Sequence, residues 1–155
     1  MYIPDCILLY ICASNYKPMR NAAMIFAGIS GCIAVILGAL GAHALNGKVE
    51  AGLLSPQSMH AYETAVHYQL MHTLAIMAMV ALRDKYPLYS KTIITLFMIG
   101  IVLFSGSIYG LVAGNLMGIN MKWMGPVTPL GGLCFIAGWV AIFISAIKSK
   151  NVIKQ

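Results

Sequence analysis

His60, Glu63 and His67 follow one another at i, i+3 and i+7, a spacing that puts all three within about 60° on one face of a helix. Imidazole and carboxylate are competent ligands for a transition metal, and the same groups can accept a proton. They can equally form an interfacial Glu63–His67 pair that orients a helix end beside His43. The pattern H-x-x-E-x-x-x-H is not a zinc spacing and one helix alone contributes to it, so no metal is expected. Gln69 and His72 come later in the same segment. At about 1.5 Å per residue, His72 falls roughly 12 Å inside the hydrocarbon if that segment crosses a membrane. A polar group at such depth either hydrogen-bonds to a neighbouring helix or serves a proton route.

Other chemistry is thinly represented. Met117, Met121 and Met124 sit beside Trp123 at spacings of four and three; thioethers can hold Cu(I), but eleven methionines spread along the chain point to apolar filling. Cys6, Cys12, Cys32 and Cys134 show no C-x-x-C spacing, which argues against a disulfide framework or a zinc knuckle. The run PVTPLGG at 126–132 has no Lys or Arg to hold a phosphate, and reads as a helix start with Thr128 as N-cap and Pro129 as first helical residue. No nucleophile has a base and an orienting acid at hand. No enzymatic activity and no cofactor are therefore expected.

The elements that must position these residues follow from composition. Of 155 residues, 60% are hydrophobic and 9% charged, where a soluble domain carries about 25% charged. The chain is read as an integral membrane protein of one domain, without room for a separate catalytic domain. Four apolar stretches, over about 22–45, 56–83, 91–117 and 126–147, are each long enough to cross the hydrocarbon. Because backbone amides in lipid must be satisfied internally, all four are read as helices of an all-α membrane four-helix bundle. Ser55 and Pro56 form a natural start to the second. Ten Lys and Arg against four Asp and Glu leave a net charge of +6. Lys17 and Arg20, then Arg83, Lys85 and Lys91, then Lys148, Lys150 and Lys154 share one side of a four-pass chain, so both termini are expected to be cytoplasmic. Only Lys48 and Lys122 fall opposite. Clusters of this kind serve topology and lipid headgroups, not nucleic acid.

Residues 1–18 stand apart. The apolar run Cys6–Ala13 is too short to span and Asp5 is wrong for the start of a signal peptide, while Met19 makes a sensible beginning. They are read as a disordered tail or an over-long start, with the membrane domain over 19–155.

Membrane helices associate where small residues let backbones approach. Gly106, Gly110 and Gly114 make a double G-x-x-x-G ridge on the third helix. Ala34, Gly38 and Ala42 repeat the spacing on the first, and Gly131, Gly132 and Gly138 stud the fourth. Such ridges either pack one bundle or face a protein partner or a second copy. Trp123, Trp139 and the tyrosines near helix ends read as interfacial belt residues.

Four blocks in order, GALGAHAL at 38–45, YETAVHYQLMH at 62–72, FSGSIYG at 104–110 and VTPLGG with AGW over 127–139, resemble the domain-of-unknown-function family 423. This is a family of small bacterial inner-membrane proteins that includes transmembrane protein 256 of animals. The likeness covers about residues 21–147 and implies a compact four-helix membrane protein, without implying an activity. Its matching polar positions are His43, Glu63, Tyr68, His72, Ser105, Ser107, Tyr109 and Thr128. Since Gln also occurs in the family where Glu63 stands, and His67 is not a family position, the resemblance directs attention to His43 and His72.

The expectation is a non-enzymatic accessory or assembly protein of the bacterial inner membrane, in contact with the bilayer and with a membrane-protein partner or a second copy. The alternative is a binder or conductor of a small ligand, a proton or a metal through its intramembrane histidines and hydroxyls.

Overall fold

The computed structural model describes residues 16–84 and 89–152, with side chains placed over 20–84 and 89–148. The expected tail lies outside the described residues up to position 15, as do Cys6, Cys12, Lys85 and Lys154.

Among the described residues the structure is helical throughout its regular elements. Helix α1 (Tyr16–Leu40) passes through a π turn at Gly41–Leu45 into α2 (Asn46–Glu50). In that wide turn the Asn46 amide reaches back five residues to the Gly41 carbonyl. Helix α3 (Pro56–Leu82) begins as its sequence dictates: the Ser55 hydroxyl accepts the Ser58 amide at 3.1 Å and Pro56 occupies the first position. Helix α4 (Ser90–Gly100) runs through a second π turn, Ile101–Ser105, into α5 (Gly106–Met117). Gly118 ends α5 in the left-handed region, at φ 68°. A 3-10 turn at Lys122–Met124 then leads to α6 (Val127–Val152). Four segments, Arg20–Glu50, Pro56–Leu82, Ser90–Met117 and Lys122–Lys148, are long and apolar enough to cross a membrane. The chain is an all-α integral membrane protein.

The packing is sequential. The first span lies on the second, the second on the third, and the third on the fourth. The second and third make a central pair, and the first and fourth flank it with the least of their surface covered by the protein itself. One apolar core gathers Ala23, Ala27, Ile76, Ile93 and Phe97 with Phe135. Another gathers Leu45, Met59, Tyr62, Ala65, Ile108 and Val112. Arg20, Arg83, Lys91 and Lys148 lie at one end of the spans and Lys48 and Lys122 at the other. Across the first of these ends Lys148 donates to the Tyr89 hydroxyl at 3.2 Å.

The glycines do not act as the ridge suggested. A methyl group on Gly106 would meet nothing within 4 Å, whereas on Gly110 it would strike Met124 and on Gly114 Met121 Cγ, at 2.9 Å. The external turn folds back over the ridge, so methionine side chains and not another helix fill it. This also settles Met121 and Met124 as packing residues, while Met117 is exposed. The close backbone approach falls elsewhere. A methyl on Gly131 would lie 2.8 Å from Phe104 Cα, and one on Gly138 2.8 Å from the Phe97 ring. The third and fourth spans thus touch through glycine against aromatic residue, the small-residue contact that holds helices together in lipid.

Candidate functional site

Polar side chains inside the spans form two separate clusters. The first joins the first three spans. Gln69, buried at the midpoint of α3, donates from Nε2 to the Ser30 carbonyl at 2.9 Å. Its Oε1 accepts the Tyr109 hydroxyl at 2.8 Å. Ser30 and Thr73 share a hydroxyl hydrogen bond of 2.8 Å, and both are buried. Next along α3, Tyr62 donates to the Leu37 carbonyl at 2.8 Å and Ser105 donates to the Ala65 carbonyl at 2.8 Å. A cleft of about 300 Å³ opens over Gln69 and Tyr109 between the first and third spans. Every polar side chain on its floor has a partner.

The second cluster joins the last three spans. His72 is buried; its Nδ1 lies 2.8 Å from the Tyr68 carbonyl and its Nε2 lies 3.1 Å from the Trp139 indole nitrogen. A carbonyl only accepts and an indole N–H only donates, so the ring is neutral, with its proton on Nδ1 and its lone pair on Nε2 engaged. The ring stacks on Phe135 at 3.6 Å between centroids and 15° between planes, and Phe97 meets its edge at 5.2 Å. Tyr68 stacks on Phe104 at 4.9 Å. Between the second and fourth spans these rings bound a cleft of about 470 Å³, which Tyr68, Phe104, Phe135 and Trp139 line together with His72 and Gly132. The Tyr68 side chain is 42% exposed, and its hydroxyl meets no hydrogen-bond partner among the described residues. Tyr68, Phe104 and Phe135 each sit near the middle of their span.

Several expectations need revising against this geometry. Trp139 is not an interfacial belt residue: its indole binds His72 in mid-span, because the fourth helix turns that face toward the second. Thr128 does not cap a helix, since α6 already includes it and its hydroxyl pairs with Ser107 at 2.7 Å. His43 and His72 do not form a pair. His43 is exposed in the π turn, where Gly41 packs beside Tyr62, and His72 lies ten residues beyond Tyr62, about 15 Å along the helix. Glu63 and His67 line a cleft with Tyr62 and Asn46, but both are exposed and no ion pair joins them among the described residues. No group of three metal-ligating side chains occurs there either. The expected polar positions are thus spread over different contacts: Ser105 on the second span, Ser107 on Thr128, Tyr109 on Gln69, and His72 with Tyr68 in the aromatic cleft.

Ser30 and Thr73 escaped the sequence reading, although a hydroxyl at mid-span is itself the signal that would have marked them. Phe104 and Phe135 carried no signal, since nothing separates a cleft-lining ring from an ordinary core ring before helix faces are known.

The chain matches the family described as "Protein of unknown function (DUF423)" over residues 37–132. It is 39% identical over 132 residues to the UPF0382 inner membrane protein YgdD of Escherichia coli (strain K12), covering 83% of this chain and 91% of that protein. It is 36% identical over 138 residues to a UPF0382 membrane protein of Haemophilus influenzae, covering 86% of this chain and all of the relative. A UPF0382 membrane protein of Schizosaccharomyces pombe, C1782.12c, is 35% identical over 120 residues, covering 76% of this chain and 95% of that one. No solved structure matches the chain. A four-span helical fold whose ordered blocks agree with these relatives along most of its length belongs to the DUF423 family of membrane proteins.

Proposed function

We propose that the protein is a non-catalytic binding protein of the bacterial inner membrane that takes a small apolar molecule into the aromatic cleft between its second and fourth spans. The end carrying Arg20, Lys91 and Lys148 then faces the cytoplasm, as the positive-inside rule requires. The observation that supports this reading is the Tyr68 hydroxyl. A polar hydrogen without a partner in the hydrocarbon is unfavourable by several kcal/mol on water-to-hydrocarbon scales, at about 4 or more. It stands at the mouth of a cleft whose size suits a small ligand. An apolar wall with few polar groups is the general form of such sites.

Gly132 provides the test. A side chain there enters the cleft without striking backbone, since a Cβ would lie 3.9 Å from the nearest atom, on the Phe104 ring. Native mass spectrometry of the protein in nanodiscs made from its own membranes is expected to find a small apolar molecule on the wild type and none on Gly132→Leu, with helicity and melting unchanged. A wild type that carries nothing, or a Gly132→Leu variant that carries as much, would overturn the reading.

A second reading, an accessory or assembly subunit, is favoured by the outward faces of the flanking spans, where Ile25, Ile29, Ile36, Val140 and Phe143 are all exposed. Its partner, or a second copy, would dock there and not on the Gly110–Gly114 ridge. A larger particle in mild detergent, dispersed by polar substitutions at Ile29 or Phe143, is the expected result for that reading; an unchanged particle size would remove it.

A further inference from the structure

Resting on the reading of the aromatic cleft as a binding site, we infer that its occupant is a planar, uncharged ring bearing a carbonyl oxygen, the chemistry of a quinone-type headgroup. The cleft has one donor left to offer. The Trp139 N–H is taken by His72, and the His72 Nδ1 proton is taken by the Tyr68 carbonyl. Of the three tyrosines within the central spans, Tyr62 donates to Leu37 and Tyr109 to Gln69. Tyr68 alone keeps its O–H, and keeps it at the depth where no water or headgroup can accept it. A ligand that relieves this must bring an acceptor into the middle of the membrane.

The acceptor has to be neutral. No charged side chain lines the cleft, and an ion would carry a large desolvation penalty at that depth. Phosphate and carboxylate headgroups are thereby excluded, and an acyl chain would leave the hydroxyl unpaired. A carbonyl meets the requirement.

The rest of the ligand has to be flat. The Tyr68 ring lies within 27° of both Phe104 and His72, and the His72 ring is stacked on Phe135 at 15°, so the wall is a run of near-parallel ring faces. Aromatic pairs gain beyond their buried area when offset-stacked or edge-to-face, and Trp139 stands across the cleft at 49% exposure with its ring available. The volume of about 470 Å³ leaves ample room for a bicyclic ring, with any chain it carries running out into lipid.

The experiment uses the full chain in nanodiscs with Trp123→Phe, a substitution in the external turn where the indole is 67% exposed. Trp139, labelled as 5-fluorotryptophan, is then the sole indole and its fluorine shift reports the cleft. The probes are menadione and 1,4-dimethylnaphthalene, the same ring system without carbonyls. A saturable shift with menadione is expected, weakened about tenfold by Tyr68→Phe, which is the loss of one hydrogen bond at 1.4 kcal/mol per decade. Dimethylnaphthalene should bind about tenfold more weakly than menadione and ignore Tyr68→Phe. Equal binding of the two probes with no effect of Tyr68→Phe, still abolished by Gly132→Leu, overturns the carbonyl while the cleft stands as a site. No saturable shift with either probe overturns both.

Discussion

The two clefts lie on opposite sides of the central helix pair and are built from the same materials, yet they are finished differently. Between the first and third spans the polar groups close on one another: Gln69 reaches Ser30 and Tyr109, and Ser30 reaches Thr73. Between the second and fourth spans His72 and Trp139 are paired, but Tyr68 is left open. The difference separates two uses of polarity inside a membrane. A closed network fixes which helices meet, because any other arrangement strands its members in hydrocarbon. An open group beside an empty space adds nothing to helix pairing and awaits something from outside.

Four substitutions test this contrast, in order of decreasing effect on stability. Gly131→Ala should be the most damaging, because its methyl meets backbone atoms of Phe104 that cannot move aside; about 3 kcal/mol is expected from overpacking against a rigid neighbour, read as loss of folded protein by steric trapping in bicelles. Gln69→Leu should follow at about 2 kcal/mol, since it leaves the Tyr109 hydroxyl and the Ser30 groups buried without partners. In a double-mutant cycle with Tyr109→Phe the two losses should fall short of additive; strict additivity would mean that the network is not closed. Trp139→Phe removes one interhelical hydrogen bond and should lower stability by only about 0.6 kcal/mol, the average for such bonds in a membrane. Tyr68→Phe should leave stability unchanged or slightly raised, because it removes an unpaired polar group. A loss comparable to that of Gln69→Leu would show that Tyr68 belongs to a closed network after all, and would erase the distinction between the two sides.

How far the sequence could be read depended on whether a residue's role is local. The four spans, the Ser55–Pro56 helix start and the use of Gln69 in interhelical hydrogen bonding were all legible, since chain length in lipid, a cap and a stranded amide each speak for themselves. Helix facing was not legible. In water the apolar stripe of a helix points to the core, but in a membrane the outside is as apolar as the inside, and that signal vanishes. The Gly106–Gly114 ridge was therefore assigned to a helix contact, when Met121 and Met124 cover it, and Trp139 was assigned to the interface, when it holds His72. Gly131 has the same local look as Gly132. Only the neighbouring Phe104 makes one a point of contact and the other a wall of the cleft.

The π turn at Ile101–Ser105 bears on how much this chain can change in length. In that turn the Gly106 amide reaches the Ile101 carbonyl, five residues back, so the helix holds one residue more than regular winding needs. Deleting any one residue there would restore regular winding and swing everything beyond it by about 100°. Ser107 would turn away from Thr128 and Tyr109 away from Gln69, while Phe97 and its contacts before the turn stayed in place. The third span is thus insensitive to many exchanges of apolar residues and yet intolerant of a single-codon deletion, which would uncouple its two halves without altering its hydrophobicity.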